Sequence, residues 1–350
     1  MRLIKSKFKM ISINSIGVFF LAALIIVIGF PANSEGISNE KAKLVDEAKK
    51  EGKIVLYTTM SVPHADGMLK AFQKKYPFIK AEFYRASSLN LMNKILIEMK
   101  NNRYVPDVID MPGFQTAILT KKGVYDRYIS PERPAYQEGY KDADGYWTSI
   151  YLNPYLIGYN TKLLSRKDIP DTYEGFLDPK WKGKKIGFDS KEVEWFANML
   201  KIMGEEKGLE FMKKFAAQDL QYRRGHTLIG ELIMAGEFPV GTIYPQIVED
   251  KRKDGAPIEW VGVSPVIVKL GTSGISARAP HPNAAKLYID FCLSKEGQML
   301  IGSFGRLPAR PDVELPLRKA LEGTKLYPSD LSLVENYGKY FKEFKNIFNF

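Results

Sequence analysis

The sequence predicts an α/β protein of two lobes, each built on a sheet flanked by helices. Three observations predict it. Runs of β-formers alternate with helically spaced apolar residues three times between Lys53 and Leu119. The rhythm breaks over Tyr125–Trp147, where Pro131, Pro134, Gly139 and Gly145 cluster, and a second alternation runs from Tyr151 to Ile243. At 350 residues, 45% of them hydrophobic, the chain exceeds one average domain and can bury a large core.

The elements follow in order. A polar helix is expected over Asn39–Lys50, ended by Gly52, and Lys53–Thr59 reads as a buried strand. Met68, Leu69, Phe72 and Tyr76 share one helical face behind Ser61 and Pro63, a helix entrance. Lys80–Tyr84 is the second strand, and Ser87 or Ser88 caps a helix carrying Met92, Ile95, Leu96 and Met99. Asp107–Met111 is the third strand, and Pro112 and Gly113 turn it into a helix with Phe114, Ile118 and Leu119. Such alternation implies parallel strands joined by right-handed crossovers.

In the second half, Tyr151–Tyr159 and Lys185–Phe188 read as strands, the latter followed by a helix presenting Val193, Phe196, Ala197 and Leu200 and stopped by Gly204. Leu228–Ala235 is a helix closed by Gly236, and Phe238–Ile243 a strand. Residues 256–276 read as the chain crossing back, ahead of a helix over Asn283–Leu300. The expected organisation is a first lobe from residues 34–150 and 263–310, a second from 151–262, and a helical segment over 311–350 packing on the second lobe.

Residues 1–33 have the layout of a secretory signal. Arg2, Lys5, Lys7 and Lys9 precede an uncharged stretch from Met10 to Asn33, and no cysteine stands at its end to accept a lipid. The expectation is export to the periplasm or outside the cell, with membrane anchoring if the leader is retained. The formal charge of +11 shrinks when these four cations leave, because 47 cations then face 40 acids, or +7. The remaining cations are interspersed with acids, which argues against nucleic acid as a partner. Cys292 is the only cysteine, so disulfides within the chain and cysteine metal clusters are excluded, and its apolar neighbours predict a buried thiol. The expected state is a monomer.

In open α/β sheets ligands bind beyond the carboxyl ends of the strands, where helix N-termini present free amides. The turns there supply Thr59 and Ser61, then Arg85, Ser87 and Ser88, then Gly113, then Asp189 and Ser190, then Arg224 and finally Tyr244. Hydroxyls at such turns also serve simply as helix caps. Converging on one cleft they form an anion site, with Arg85 able to hold a carboxylate or phosphonate in a two-pronged contact. His64, His226 and His281 show no paired metal-ligand spacing, and no nucleophile elbow, P-loop or dinucleotide fingerprint is present. Asp142, Asp144 and Gly145 resemble a calcium loop only until its twelfth position, which is Asn153 rather than an acid.

Six segments carry a family resemblance: Glu51–Met60, Pro106–Met111, Asn153–Leu164, Phe176–Ser190, Ala235–Gly241 and Ala279–Gln298. Together they resemble the periplasmic solute-binding proteins of ABC importers grouped with ferric-iron-binding receptors. The resemblance implies a type II periplasmic-binding-protein fold, with two α/β lobes joined by crossover strands and a ligand cleft between them. It implies a permease and an ATPase as partners, no cofactor and no catalysis. It leaves two ligand classes open: a small oxyanion such as an organic phosphonate, phosphate ester or carboxylate, or ferric iron. Iron-binding relatives use two adjacent tyrosines, and here only Tyr244 stands in that region. Rivals from other classes are an exported hydrolase and a sensory binding module on the same scaffold.

Overall fold

The computed structural model describes residues 34–349; the expected leader over 1–33 lies outside the described residues. The elements are, in chain order, α1 (Ser34–Glu51), β1 (Lys53–Thr58), α2 (Val62–Lys75), β2 (Lys80–Arg85), α3 (Ser88–Lys100), β3 (Val108–Pro112), α4 (Gly113–Lys121), β4 (Thr148–Pro154) and β5 (Leu156–Asn160). They continue as β6 (Ile186–Asp189), α5 (Val193–Met203), α6 (Glu205–Ala216), β7 (Gln221–Arg223), α7 (His226–Ala235), β8 (Val240–Ile243) and α8 (Pro245–Arg252). Then come β9 (Ile258–Val261), β10 (Val266–Ile275), α9 (Pro282–Leu293), α10 (Lys295–Ser303), β11 (Leu307–Pro308), α11 (Pro316–Ala320), β12 (Leu326–Pro328) and α12 (Tyr337–Phe348).

Two sheets organise these elements. The first runs β11-β4-β10-β3-β1-β2, with β12 on the start of β10; the second runs β7-β6-β8-β5-β9. The expected parallel core is present in each: β1 pairs parallel with β2 and β3, and β6 with β7 and β8. The crossing strands differ, because β10 and β4 enter the first sheet antiparallel, as do β5 and β9 the second. The α/β class therefore holds, with mixed rather than wholly parallel sheets.

The single strand expected over Tyr151–Tyr159 is two strands in different sheets. Pro154 ends β4, and the next amide, of Tyr155, donates to Ile267 O at 2.9 Å, tying one crossing segment to the other. Periodicity cannot reveal such a transfer, since both halves are buried and apolar. The helix expected over Asn283–Leu300 is likewise two, broken at Ser294, whose hydroxyl accepts from the Gly297 amide at 3.2 Å and caps α10. The C-terminal segment is not purely helical: it adds β12 to the first sheet, while α12 lays Phe344 and Phe348 against Phe188 and Phe196 beneath the second. Helix α6 and strand β7 were not anticipated from the sequence.

Core formation follows the apolar spacing. Met68, Leu69 and Phe72 of α2 are buried against Tyr288 and Phe291 of α9, and Phe196, Ala197 and Leu200 of α5 are buried as their spacing predicts. Phe188, Trp195 and Phe215 form the aromatic centre of the second sheet's core. Cys292 is buried within the first, as expected. Among the described residues no helix is long and apolar enough to cross a membrane.

Candidate functional site

At the carboxyl ends of the first sheet the β1–α2 and β3–α4 turns lie together, because β1 pairs directly with β3 and the Thr59 amide donates to Asp110 O at 3.2 Å. Thr58 is fully buried, its hydroxyl accepting from the Met60 amide. Ser61 occupies the N-cap position of α2 without capping it, and its buried hydroxyl has no hydrogen-bond partner. Asp110 is 2% exposed, and burial pushes its carboxyl up to about 7. One of its oxygens is unpartnered, as are the Ser149 and Ser273 hydroxyls.

Arg306 was not anticipated from the sequence. It precedes β11, whose Pro308 pairs with Tyr151, so its guanidinium lies over the Tyr151 ring, 4.4 Å from the centroid. Its Nε donates to His64 Nδ1 at 3.1 Å. The residue is only 7% exposed, yet among the described residues no carboxylate lies within ion-pair distance of it. A buried cation without a counter-charge is costly, which makes Arg306 a candidate contact for an anionic ligand. The preceding Gly305 has φ +72°, and a Cβ there would come within 3.4 Å of the Gln246 backbone, so this loop packs against the entrance of α8 on the second sheet.

The second sheet presents a charged cluster at the entrances of α5 and α7. Asp189 ends β6, Glu192 precedes α5, and His226 opens α7; one ligand-type atom from each lies within 4.8 Å of the others. His226 Nε2 stands 2.5 Å from Glu192 Oε1 and 3.8 Å from Asp189 Oδ2, and its Nδ1–H donates to Thr242 O at 3.0 Å. Burial alone would lower the His226 pKa, but the charge of Glu192 and the hydrogen bond to it outweigh that, raising it and favouring the protonated ring. Glu192 is correspondingly pulled below its usual value despite its burial. Burial pushes Asp189 and Glu194 up. Lys269 reaches this group from β10, 3.4 Å from Glu194 Oε2, and the surrounding Tyr244, Glu194, Glu192 and Asp189 overcome its desolvation and keep it charged.

Two tyrosines complete the cluster. Tyr155, the residue between β4 and β5, lies 5.4 Å from Tyr244 between ring centroids, and Tyr244 lies 4.0 Å from His226. The Tyr155 side chain is 1% exposed, and its hydroxyl, beside Glu192, completes no hydrogen bond. Burial raises both phenols, holding them protonated.

The structure thus gathers Asp189 and Tyr244 into one cluster and Thr59 and Ser61 into another. Ser190 anchors its turn by donating its amide to Arg223 O. Arg85, Ser87 and Arg224 are exposed, Ser88 is the first residue of α3, and Ser87 sits at its N-cap without a side-chain bond. Gly113 packs against Leu331 and Leu270, where a Cβ would clash. Glu192, Glu194, Tyr155 and Lys269 were missed. A run of acids just after a β-strand, Asp189, Glu192 and Glu194, was the available signal, since acids favour helix N-termini.

The chain matches the family model described as bacterial extracellular solute-binding protein over residues 67–325. It is similar to an uncharacterized protein of Haemophilus influenzae, 26% identical over 265 residues that span 72% of this chain and 76% of that protein. It is similar in structure to iron-bound HitA from Pseudomonas aeruginosa, with TM-score 0.74 and 20% identity, covering 83% of this chain and 99% of the other. It is also similar to the periplasmic binding protein AfuA from Actinobacillus pleuropneumoniae with fructose-6-phosphate bound, with TM-score 0.69 and 26% identity, covering 85% and 97%. Two sheets joined by crossing strands, polar clusters at the strand ends of both, and the match over most of its length agree: the chain belongs to the bacterial extracellular solute-binding proteins and is the substrate-binding protein of an ABC importer.

Proposed function

We propose that the two strand-end clusters are the walls of one cleft, that the lobes close there on a small oxyanion, and that the chain delivers it from the periplasm to a membrane permease without altering it. The observation that carries the anion is Arg306: a guanidinium 7% exposed, with no carboxylate at ion-pair distance among the described residues, near the turn that holds the unpartnered Ser61 hydroxyl. An oxyanion supplies the missing counter-charge and accepts from both donors. Thr59 and Ser61 line this wall with Arg306, and Asp189, Glu192, His226 and Tyr244 form the opposite wall, whose acceptors suit the hydroxyls of a phosphorylated polyol. Arg85, Ser87, Ser88, Gly113, Ser190 and Arg224 fall at the rim or in the supporting turns. The likeness to AfuA, whose structure holds fructose-6-phosphate, supports a phosphate ester.

Ferric iron is the second reading, favoured by the Tyr155–Tyr244 pair beside Asp189, Glu192 and His226, a set of hard oxygen donors. It ranks lower because both phenols must ionise against their burial beside two acids, and Lys269 adds a positive charge there. A thermal-shift and calorimetric panel of fructose 6-phosphate, inorganic phosphate, phosphonates, dicarboxylates and ferric citrate orders the two, because a ligand of the folded state raises stability by mass action. Stabilisation by a phosphate ester and none by ferric citrate is the expected result. A response to ferric citrate alone, with a visible tyrosinate-to-iron absorption band, overturns the anion reading.

A further inference from the structure

The buried arginine at the first wall is held by an unusual partner. Arg306 Nε donates to His64 Nδ1 at 3.1 Å, across 242 residues of chain. An imidazole nitrogen that accepts carries no proton, so His64 is the neutral tautomer with its proton on Nε2. Burial and the neighbouring Arg306 charge agree, pushing His64 down to about 4. Its ring stacks on Phe304 at 4.7 Å with the planes 6° apart, and Phe304 fits there because Gly67, one turn along α2, has no Cβ; a Cβ would stand 2.8 Å from the ring. The groups facing the pair are thus an aromatic ring, a glycine and the Tyr151 face, and Asp250 on α8, whose carboxyl feels the Arg306 charge, lies beyond ion-pair distance.

We infer that His64 is a positioning and specificity-determining residue: it orients the Arg306 guanidinium as a neutral acceptor and leaves its charge free for an anionic ligand. The usual partner for a buried arginine is a carboxylate, which orients the fork equally well but cancels the charge. A histidine held neutral separates the two tasks. The inference rests on the anion reading above for its ligand, but the state of His64 is measurable without one.

Three substitutions at one position test it, with fructose 6-phosphate and inorganic phosphate as probes and Arg306→Gln as the control for the anion reading itself. His64→Asn keeps an acceptor and is expected to bind within about 3-fold of the unaltered protein. His64→Leu removes it and is expected to weaken binding about 10-fold. His64→Glu supplies a carboxylate, and is expected to weaken binding more than 100-fold while leaving the melting temperature unchanged or higher. A purely structural role predicts affinity falling in step with melting temperature, and equal affinity for His64→Leu and His64→Glu overturns the inference. Nitrogen-15 shifts of the His64 ring at pH 6 read the inference independently: a neutral ring with the proton on Nε2 is expected, and a protonated ring overturns it. If the unaltered protein and Arg306→Gln both ignore the probes, the anion reading falls, while the ring shifts still judge His64.

Discussion

At the scale of single residues the two walls differ in how their charges are balanced. Among the described residues Arg306 has no acid within ion-pair distance, so replacing it removes a charge-assisted ligand contact and relieves a desolvation cost. Arg306→Met is therefore expected to abolish the calorimetric response to fructose 6-phosphate, a loss of about 2–3 kcal/mol or more, while leaving the melting temperature unchanged or raised. His226 and Glu192 are balanced against each other. Glu192→Gln leaves a buried imidazolium without its partner and is expected to cost about 3–5 kcal/mol. The sign of its pH dependence follows from the shifts. His226 is raised above 6.5, so its stabilisation is full below that value and fades as pH rises through the folded pKa. Glu192 is lowered below 4.5, so its stabilisation is full above that value and fades as pH falls. The melting-temperature gap between the unaltered protein and Glu192→Gln is expected to be widest near pH 5.5, between the two ordinary pKa values, and to narrow as pH rises through the folded pKa of His226. A gap independent of pH rejects the ion pair.

At the scale of elements, close approaches decide where helices can lie. The break between α9 and α10 works because Gly297 sits against the Phe291 carbonyl, where a Cβ would stand 2.1 Å from the oxygen. Gly297→Ala is expected to lower stability by about 1–3 kcal/mol in thermal or denaturant unfolding, as overpacking does. Ser294→Ala removes the cap of the same helix and is expected to cost about 1 kcal/mol. Helix existence was legible in the sequence here, from Leu287 and Phe291 through Ile301, but the break was not. A caplike serine inside an apolar stretch reads equally well as a surface position until the backbone turns. The same holds for β4 and β5, where one proline separates strands that serve different sheets.

For the whole molecule the sheets are linked by crossing segments at residues 154–156 and 261–266, and the chain leaves β12 at Pro328 for α12, which packs beneath the second sheet. Lys269 stands on a strand of the first sheet and pairs with Glu194 of the second, and Asn198 of α5 donates to Ser329 beyond β12, so charge and hydrogen bonds also span the crossing. Closure as a hinge about these segments predicts that fructose 6-phosphate lowers the radius of gyration in solution scattering, and that Arg306→Met does not respond. Unchanged scattering at saturating ligand overturns closure by lobe rotation.

The sequence by itself determined the alternation of strands and helices, the apolar faces of α2, α3 and α5, the buried Cys292 and the family. Each of these depends on spacing within a few residues or on a run of adjacent residues, and such patterns survive in a one-dimensional record. Only the tertiary structure decided that Arg306 meets His64, that Tyr155 meets Tyr244, and that Lys269 reaches across to Glu194. The reason is physical: burial and charge balance are properties of packed neighbours far apart in the chain, and a residue's own segment says little about which distant partner will surround it.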